Sequence, residues 1–326
     1  MAKARKRKSR VKQVGGRRKE KVVDKNLVYR IITERILAKL DEGVIPWRKP
    51  WNISGTANKR WSGKEYRGVN TFLAVMSGRE GPWLTFKMVR DAGGRVLKGE
   101  KSEKVVFWKV KTWTEKKDGE EKEQRRFILR YYNVFSLEQT SLYKEPDKWP
   151  KWLKEEKAKT GKGNGKKPIK KAEKIWKEYE NRPELKHGGN RAFYRPSDDF
   201  IQLPVTKNFH SVEEYHSVKF HEMIHSTGHS GRLERFPRDA ILPPFGSEDY
   251  SKEELVAEMG AAFLMAEAGI EFEAALDNSA AYIKSWMGKL EDDPKLVVRA
   301  ASRAQRAVDH ILGRKFNKSE PSNGDE

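Results

Sequence analysis

Five consecutive residues, His221-Glu222-Met223-Ile224-His225, carry the sharpest chemical signal in the chain. On an α-helix, positions four apart lie about 6 Å apart along the axis and about 40° apart around it. Two imidazoles at that spacing can share one ion, and a carboxylate beside the first can face a water held there. Zinc lowers the pKa of such a water to about 7, so the pattern suits metal-assisted hydrolysis with Glu222 as general base. The competing reading is a surface helix with incidental histidines; the clustering of His221, His225 and His229 among only 7 histidines weighs against it.

A hydrolytic zinc site needs a third protein ligand and an open position. The chain has no cysteine, so the ligands must be His and carboxylate, and disulfides and thiol nucleophiles are excluded. No His stands six residues after His225. The next helical segment offers Glu253-Glu254-Leu255-Val256-Ala257-Glu258, in which Glu254 and Glu258 share a face. This resembles the gluzincin arrangement, in which the first carboxylate binds metal and the second orients a ligand His. On that pattern Glu254 is the ligand and Glu258 stands behind it, with the reverse assignment still open. Glu254 could instead cap its helix with Ser251. His229 is either a cleft contact or a helix-terminal residue balancing the dipole. Tyr194 lies on the segment 192–202, read as an edge strand beside the cleft and bounded by prolines.

A second signal is electrostatic. The formal net charge is +21, and residues 1–25 hold 12 Lys and Arg against Glu20 and Asp24. Such a balance implies an acidic partner, nucleic acid first among them. Six of the 10 Trp fall between residues 47 and 113, interleaved with cations and amides. Aromatic faces stack on unpaired bases while Lys and Arg follow phosphates, so the mix suits single-stranded DNA. The candidate contacts are Trp47, Arg48, Lys49, Trp51, Lys59, Arg60, Tyr66, Arg67, Asn70, Lys98 and Lys101. Trp83 and Trp108, in apolar contexts, read as core.

These residues need elements to hold them. At 326 residues the chain is long enough for two domains plus tails. Residues 1–24 read as a disordered basic tail. An apolar face recurs from Leu27 to Leu40, predicting a helix ended by Gly43 and Pro46. Short helices follow near 70–77 and 85–91, then strands at 105–114 and 127–135 joined around Gly119. Residues 144–169 read as a charged linker or insertion, although Trp149 and Trp152 could dock on a neighbour. From 170 to 313 a helix near 171–180 and the 192–202 strand precede helices at 211–227, with Ser211 and Glu214 as its capping box, at 252–268, and within 279–312. The residues 314–326 form a polar tail. The expected fold class is α+β, a small α+β domain at 25–143 followed by a mostly helical domain. No apolar run is long enough to predict a membrane helix, and no secretory signal is evident; the absence of cysteine suits a cytoplasmic protein.

The order of the segments ITERILAKLDEGVIPWRKPW, YRGVNTFL, PWLTF, GGRVLKGEKSEKVVFWK and YYNVFSLEQT resembles the N-terminal single-stranded-DNA-binding domain of ArdC-type antirestriction proteins. AFYRPSDDFIQLP, HEMIHSTGHSGRLER, EELVAEMGAAFL and AAYIKSW are similar to that family's C-terminal zincin-like domain. The resemblance implies a plasmid- or phage-borne bacterial protein that binds incoming single-stranded DNA and protects it from restriction. It also implies one zinc ion on His221, His225 and the Glu254/Glu258 helix, and restriction or other DNA-bound proteins as substrates. The family's usual aromatic after the second His is Ser226 here. A purely structural metal site and a DNA-dependent protease remain as alternative implications.

Overall fold

The computed structural model describes residues 26–47, 56–117, 120–159, 167–236, 248–270 and 280–314. The basic tail at 1–24 and most of the polar tail at 314–326 lie outside the described residues. Helix α1 spans Leu27–Asp41 and buries Ile32, Ile36 and Leu40, one apolar residue per turn. Helix α2, Val69–Val75, is buried along almost its whole length. Strand β1, Trp83–Thr85, runs into helix α3, Phe86–Asp91, capped by the Thr85 side chain, which accepts from Met88 N. Strands β2, Glu103–Lys117, and β3, Glu120–Ser136, form a long antiparallel hairpin, and the sheet order is β1-β3-β2. Because β1 pairs only with Val134–Ser136, the outer hairpin is a two-stranded ribbon.

Residues 146–159, expected as linker, instead pack on this N-terminal region. A 3-10 turn at Pro146–Lys148 leads into helix α4, Lys151–Lys159. Leu153 is fully buried against Leu84, Val89, Leu137 and Leu142. Trp149 Nε1 donates to Leu142 O (2.7 Å) and Trp152 Nε1 to Trp61 O (3.0 Å). Three apolar anchors outweigh the charged composition that suggested a solvated stretch.

Helix α5, Lys167–Glu178, opens the second half. Strands β4, Glu184–His187, β5, Phe193–Arg195, and β6, Phe200–Leu203, follow, in sheet order β4-β6-β5. The single edge strand expected over 192–202 is thus two strands. A turn at 196–199, with Asp199 at positive φ, folds β5 antiparallel onto β6, which is central rather than an edge. Pro196 removes a donor where the strand would have continued.

Helix α6, Val212–Ser226, carries the two histidines. Ser211 Oγ accepts from Glu214 N (3.1 Å), while the Glu214 carboxylate accepts from His210 N rather than Ser211 N, so only half of the expected capping box forms. Helix α7, Glu248–Ala268, lies across α6 and ends at Gly269, whose φ of 74° suits the turn. Helices α8, Ala280–Asp292, and α9, Leu296–Ile311, break at Asp293-Pro294. α9 presents an alanine-rich face, Ala300, Ala301, Ala304 and Ala307, that lets α7 pack closely. One apolar core runs from Ile32 and Phe72 through Leu255 to Ile311, so the two expected domains share a core. Thr33 Oγ1 donates to Pro294 O (2.8 Å), and Arg67 pairs with Asp309 across the same junction. The fold is α+β, as expected, and no helix among the described residues is long and apolar enough to cross a membrane.

Candidate metal centre

The crossing of α6 and α7 builds the site. At the crossing, Gly260 leaves room for Ile224: a Cβ on residue 260 would lie 2.6 Å from Ile224 Cδ1. This contact sets the His face of α6 against the acidic face of α7. His221 Nε2 and His225 Nε2 stand 3.1 Å apart. Glu254 Oε2 lies 3.5 Å from His221 Nε2, and Oε1 lies 3.3 Å from His225 Nε2. Tetrahedral bonds of about 2.0–2.1 Å place neighbouring donors roughly 3.3 Å apart, so the three groups fit a divalent ion with one position left open. They are the only such group of potential ligands among the described residues.

Glu222 is buried, at 7% exposure, and has no hydrogen-bond or ion-pair partner among the described residues. Burial would lower the basicity of His225, but hydrogen bonds to Glu253 and Glu254 outweigh it and push its pKa up to about 10. Burial would raise Glu254; its contacts with His221 and His225 hold it well below the usual carboxylate range instead.

The group behind His225 is Glu253, which sequence reasoning did not single out. His225 Nδ1 stands 3.4 Å from Glu253 Oε1. Arg235 grips the same carboxylate through Nη2 (2.7 Å) and Nε (3.1 Å), and also donates to Ile224 O (2.8 Å) and Thr227 Oγ1 (2.6 Å). This buried chain ties the loop after α6 to α7 and fixes the face of the His225 ring. Glu253 is adjacent to Glu254, and helical spacing alone cannot tell which of two neighbouring carboxylates turns toward which side of a ring. Nothing in the sequence marks Arg235.

Glu258, expected to orient a ligand His, is engaged elsewhere. Its Oε2 accepts from Trp47 Nε1 (2.6 Å) and its Oε1 from Tyr282 OH (2.5 Å). Tyr250, one turn before Glu254, hydrogen-bonds Glu254; burial, then the charges of Glu254 and Glu222, hold its phenol well above its usual pKa. Tyr194 does not reach the cleft: it is buried, and its hydroxyl donates to Asp199 Oδ1 (2.9 Å). Arg232 clamps Asp199 with two bonds of 2.8 Å and donates to Ser226 O (3.0 Å). His229 Nδ1 accepts from Gly231 N (3.1 Å), which closes the turn after α6 and favours the helix-terminal of its two readings. Ser226 holds Tyr179 by a 3.1 Å hydroxyl pair in place of an aromatic ring.

Residues 170–303 match the zincin-like metallopeptidase family. Residues 26–135 match the N-terminal domain of the anti-restriction factor ArdC. Crystal structures of the antirestriction protein ArdC from plasmid R388 superpose with a TM-score of 0.65 in both metal-free and Mn(II)-bound forms. The metal-free form is 31% identical, with 88% of this chain and 97% of that one covered. The chain belongs to the ArdC-type antirestriction family. An uncharacterised protein of Sinorhizobium fredii, y4eC, is 31% identical over 86% of this chain and 90% of its own length. Two DNA primases TraC of Escherichia coli are 33% and 32% identical, over 91% and 86% of this chain. The chain spans only 20% and 26% of their lengths.

The ArdC-type N-terminal region places few of the expected DNA contacts where a strand could reach them. Trp47 is 2% exposed, bonded to Glu258 and edge-on to Trp286 (5.8 Å between centroids), so it has no free face for stacking. Tyr66 is 8% exposed and packs with Trp83 and Val105. Lys59 pairs with Glu156 (3.1 Å), and Arg67 with Asp309. The Arg60 Nε is buried. Asn70 bonds the backbone of Val106 through both amide atoms (2.6 and 2.7 Å), which caps the free edge of β2. Lys98 and Lys101 are exposed. Arg48, Lys49 and Trp51 lie outside the described residues. Conversely Trp108, expected in the core, is 37% exposed and stands edge-on to Tyr29. The polar surroundings of Trp47 suggested exposure because the α7 and α8 residues that cover it, Glu258 and Trp286, are at least 211 residues away in sequence, whereas Tyr66 is covered by Trp83 and Val105 of the sheet.

Proposed function

We propose that this chain is an antirestriction protein that binds single-stranded DNA and cleaves peptide bonds at the His221-His225-Glu254 centre. The carrying observation is a buried carboxylate, Glu222, with no hydrogen-bond or ion-pair partner among the described residues, beside three converging metal donors. A structural metal site requires the donors and has no use for that carboxylate. The two-imidazole, one-carboxylate set suits zinc, and the Mn(II) form of the R388 protein supports a divalent ion in general. Such an ion, when bound, supplies Lewis-acid chemistry to water and to a carbonyl oxygen.

The protein's own groups do the rest. Glu222 accepts the proton of the attacking water and delivers it to the leaving amine. Glu253 and Arg235 hold the His225 ring so that Nε2 faces the centre. Tyr250 stays protonated at neutral pH and donates a hydrogen bond to the oxygen on which charge develops. Substrate proteins would be restriction or other DNA-bound proteins, and the site of action the bacterial cytoplasm.

Glu222→Gln tests the reading. The variant should keep its bound zinc and its DNA affinity, lose cleavage of an unstructured protein substrate in the presence of single-stranded DNA, and fail to protect DNA in a restriction assay. Full protection by this variant would leave coating of DNA as the whole activity and the centre as structural.

A further inference from the structure

The outer part of the β2–β3 ribbon combines features that the rest of the described surface keeps apart. Four of the six exposed aromatic side chains among the described residues lie on it, Trp113 on one face and Trp108, Phe127 and Tyr131 on the other. Between 104–114 and 124–132 there are six cations and no acidic residue. In the antiparallel register Phe107 faces Arg130, Lys109 faces Ile128, Lys111 faces Arg126, and Trp113 faces Gln124. Opposed residues share a face, as do alternate residues along a strand. One face therefore carries Lys109, Lys111, Arg126 and Arg130, with Phe107 at the inner end, stacked on Tyr132 (4.2 Å), and Trp113 at the outer end.

None of those four cations has an ion-pair partner among the described residues, and all four are exposed. Lys111 directly opposite Arg126 sets like charges against each other, which weakens a ribbon that has no third strand to support it. Folding gives no reason for this concentration of charge. A polyanion does. Cations at alternate strand positions are about 7 Å apart, a spacing that an extended phosphate backbone can follow. The aromatic rings at either end offer faces to unpaired bases, which a duplex keeps stacked.

We propose that this ribbon face, rather than Trp47, Tyr66 and Arg67, is where single-stranded nucleic acid binds. The assignment rests on the reading that the chain binds such a strand. It places the nucleic-acid surface on a projecting hairpin, with the metal centre on the separate α6–α7 crossing, so that strand and protein substrate can be held at once.

The test compares two double variants of the full chain that each remove two charges. Lys111→Gln with Arg126→Gln alters the ribbon; Arg303→Gln with Arg306→Gln alters exposed cations on α9. Binding of a labelled 20-mer oligothymidylate is measured by anisotropy across a salt series. The ribbon variant should bind on the order of tenfold more weakly, and its log–log salt slope should flatten by about 1.4, two single-strand phosphate contacts. Its melting temperature should equal or exceed that of the unaltered chain, because a repulsive pair is gone. The α9 variant should bind as the unaltered chain does. Trp113→Ala should weaken the 20-mer more than a duplex of the same length. Unchanged binding by the ribbon variant, or an equal loss in the α9 variant, overturns the assignment while leaving DNA binding itself intact. No binding of the 20-mer by the unaltered chain overturns both. Equal affinity for polyglutamate of the same length would reduce the face to a general polyanion surface and also overturn it.

Discussion

Glu253→Gln is the most informative single change at the metal centre. Glu253 is 8% exposed and holds two partners at once, the Nδ1 side of His225 and the Arg235 guanidinium. Glutamine keeps an oxygen of the same reach but removes the charge. Breaking one side of a buried pair costs about 3–5 kcal/mol when the survivor is stranded. Arg235 is not fully stranded, since Ile224 O and Thr227 Oγ1 still accept from it. A loss of about 2–4 kcal/mol is therefore expected, a fall in melting temperature on the order of 3–8 °C for a chain of this size. The neutral amide also makes His225 a weaker base and a less fixed one, so zinc affinity should fall about 10- to 100-fold. Both effects are measurable on one preparation: thermal melts of the metal-free chain, and zinc titration against a chromophoric chelator at neutral pH. Unchanged melting together with unchanged zinc affinity would refute the role given to the Glu253–Arg235 pair.

Glu254→Gln should cut zinc affinity by more than about tenfold, whereas Glu258→Gln should leave it nearly unchanged, because Glu258 is occupied by Trp47 and Tyr282; full zinc content in both variants would remove Glu254 from the ligand set. Gly260→Ala should destabilise by about 1–3 kcal/mol in denaturant melts, since the new Cβ meets three Ile224 carbons within 3.0 Å, and adding Ile224→Ala should restore part of the zinc affinity lost as α6 and α7 spread. Burial opposes ionisation of Asp199, but the Arg232 clamp and the Tyr194 hydroxyl hold it below the usual carboxylate range. Its contribution to stability is thus fully present above its unfolded pKa of about 3.9 and is lost as pH falls through the lower folded value, so the stability gap between the unaltered chain and Asp199→Asn should be widest near pH 5–7 and close on acidification; a gap independent of pH would assign the clamp to shape rather than charge.

Much of the centre was legible from spacing. A helix forces residues four apart onto one face, so His221 and His225 could be paired, and Glu222 set beside them, without any knowledge of the fold. The same periodicity put Glu254 and Glu258 on a common face and placed α1 within two residues of its observed ends. Helix breakers marked boundaries for an equally local reason, as Gly43 does after α1 and Gly269 after α7. Residues 192–202 form two strands rather than one, because periodicity does not reveal a tight turn at Asp199.

What sequence could not decide was which side chains meet across the core. Trp47 sits among polar and basic residues and looks exposed, yet α7 and α8 cover it and Glu258 takes its indole proton. Tyr66 is buried by β1 and β2 in the same way. Glu253, rather than Glu258, backs His225 because the crossing of α6 over Gly260 fixes the rotation of α7, and that rotation comes from packing. Sequence alone settled that His221, Glu222 and His225 share one helical face, because 3.6 residues per turn is a property of the backbone. Only the tertiary structure decided that Glu254 stands beside both imidazoles and that, among the described residues, Trp47, Tyr66 and Arg67 are engaged while Lys109, Lys111, Arg126 and Arg130 are exposed. Those outcomes depend on contacts between residues distant along the chain, for which local periodicity carries no information.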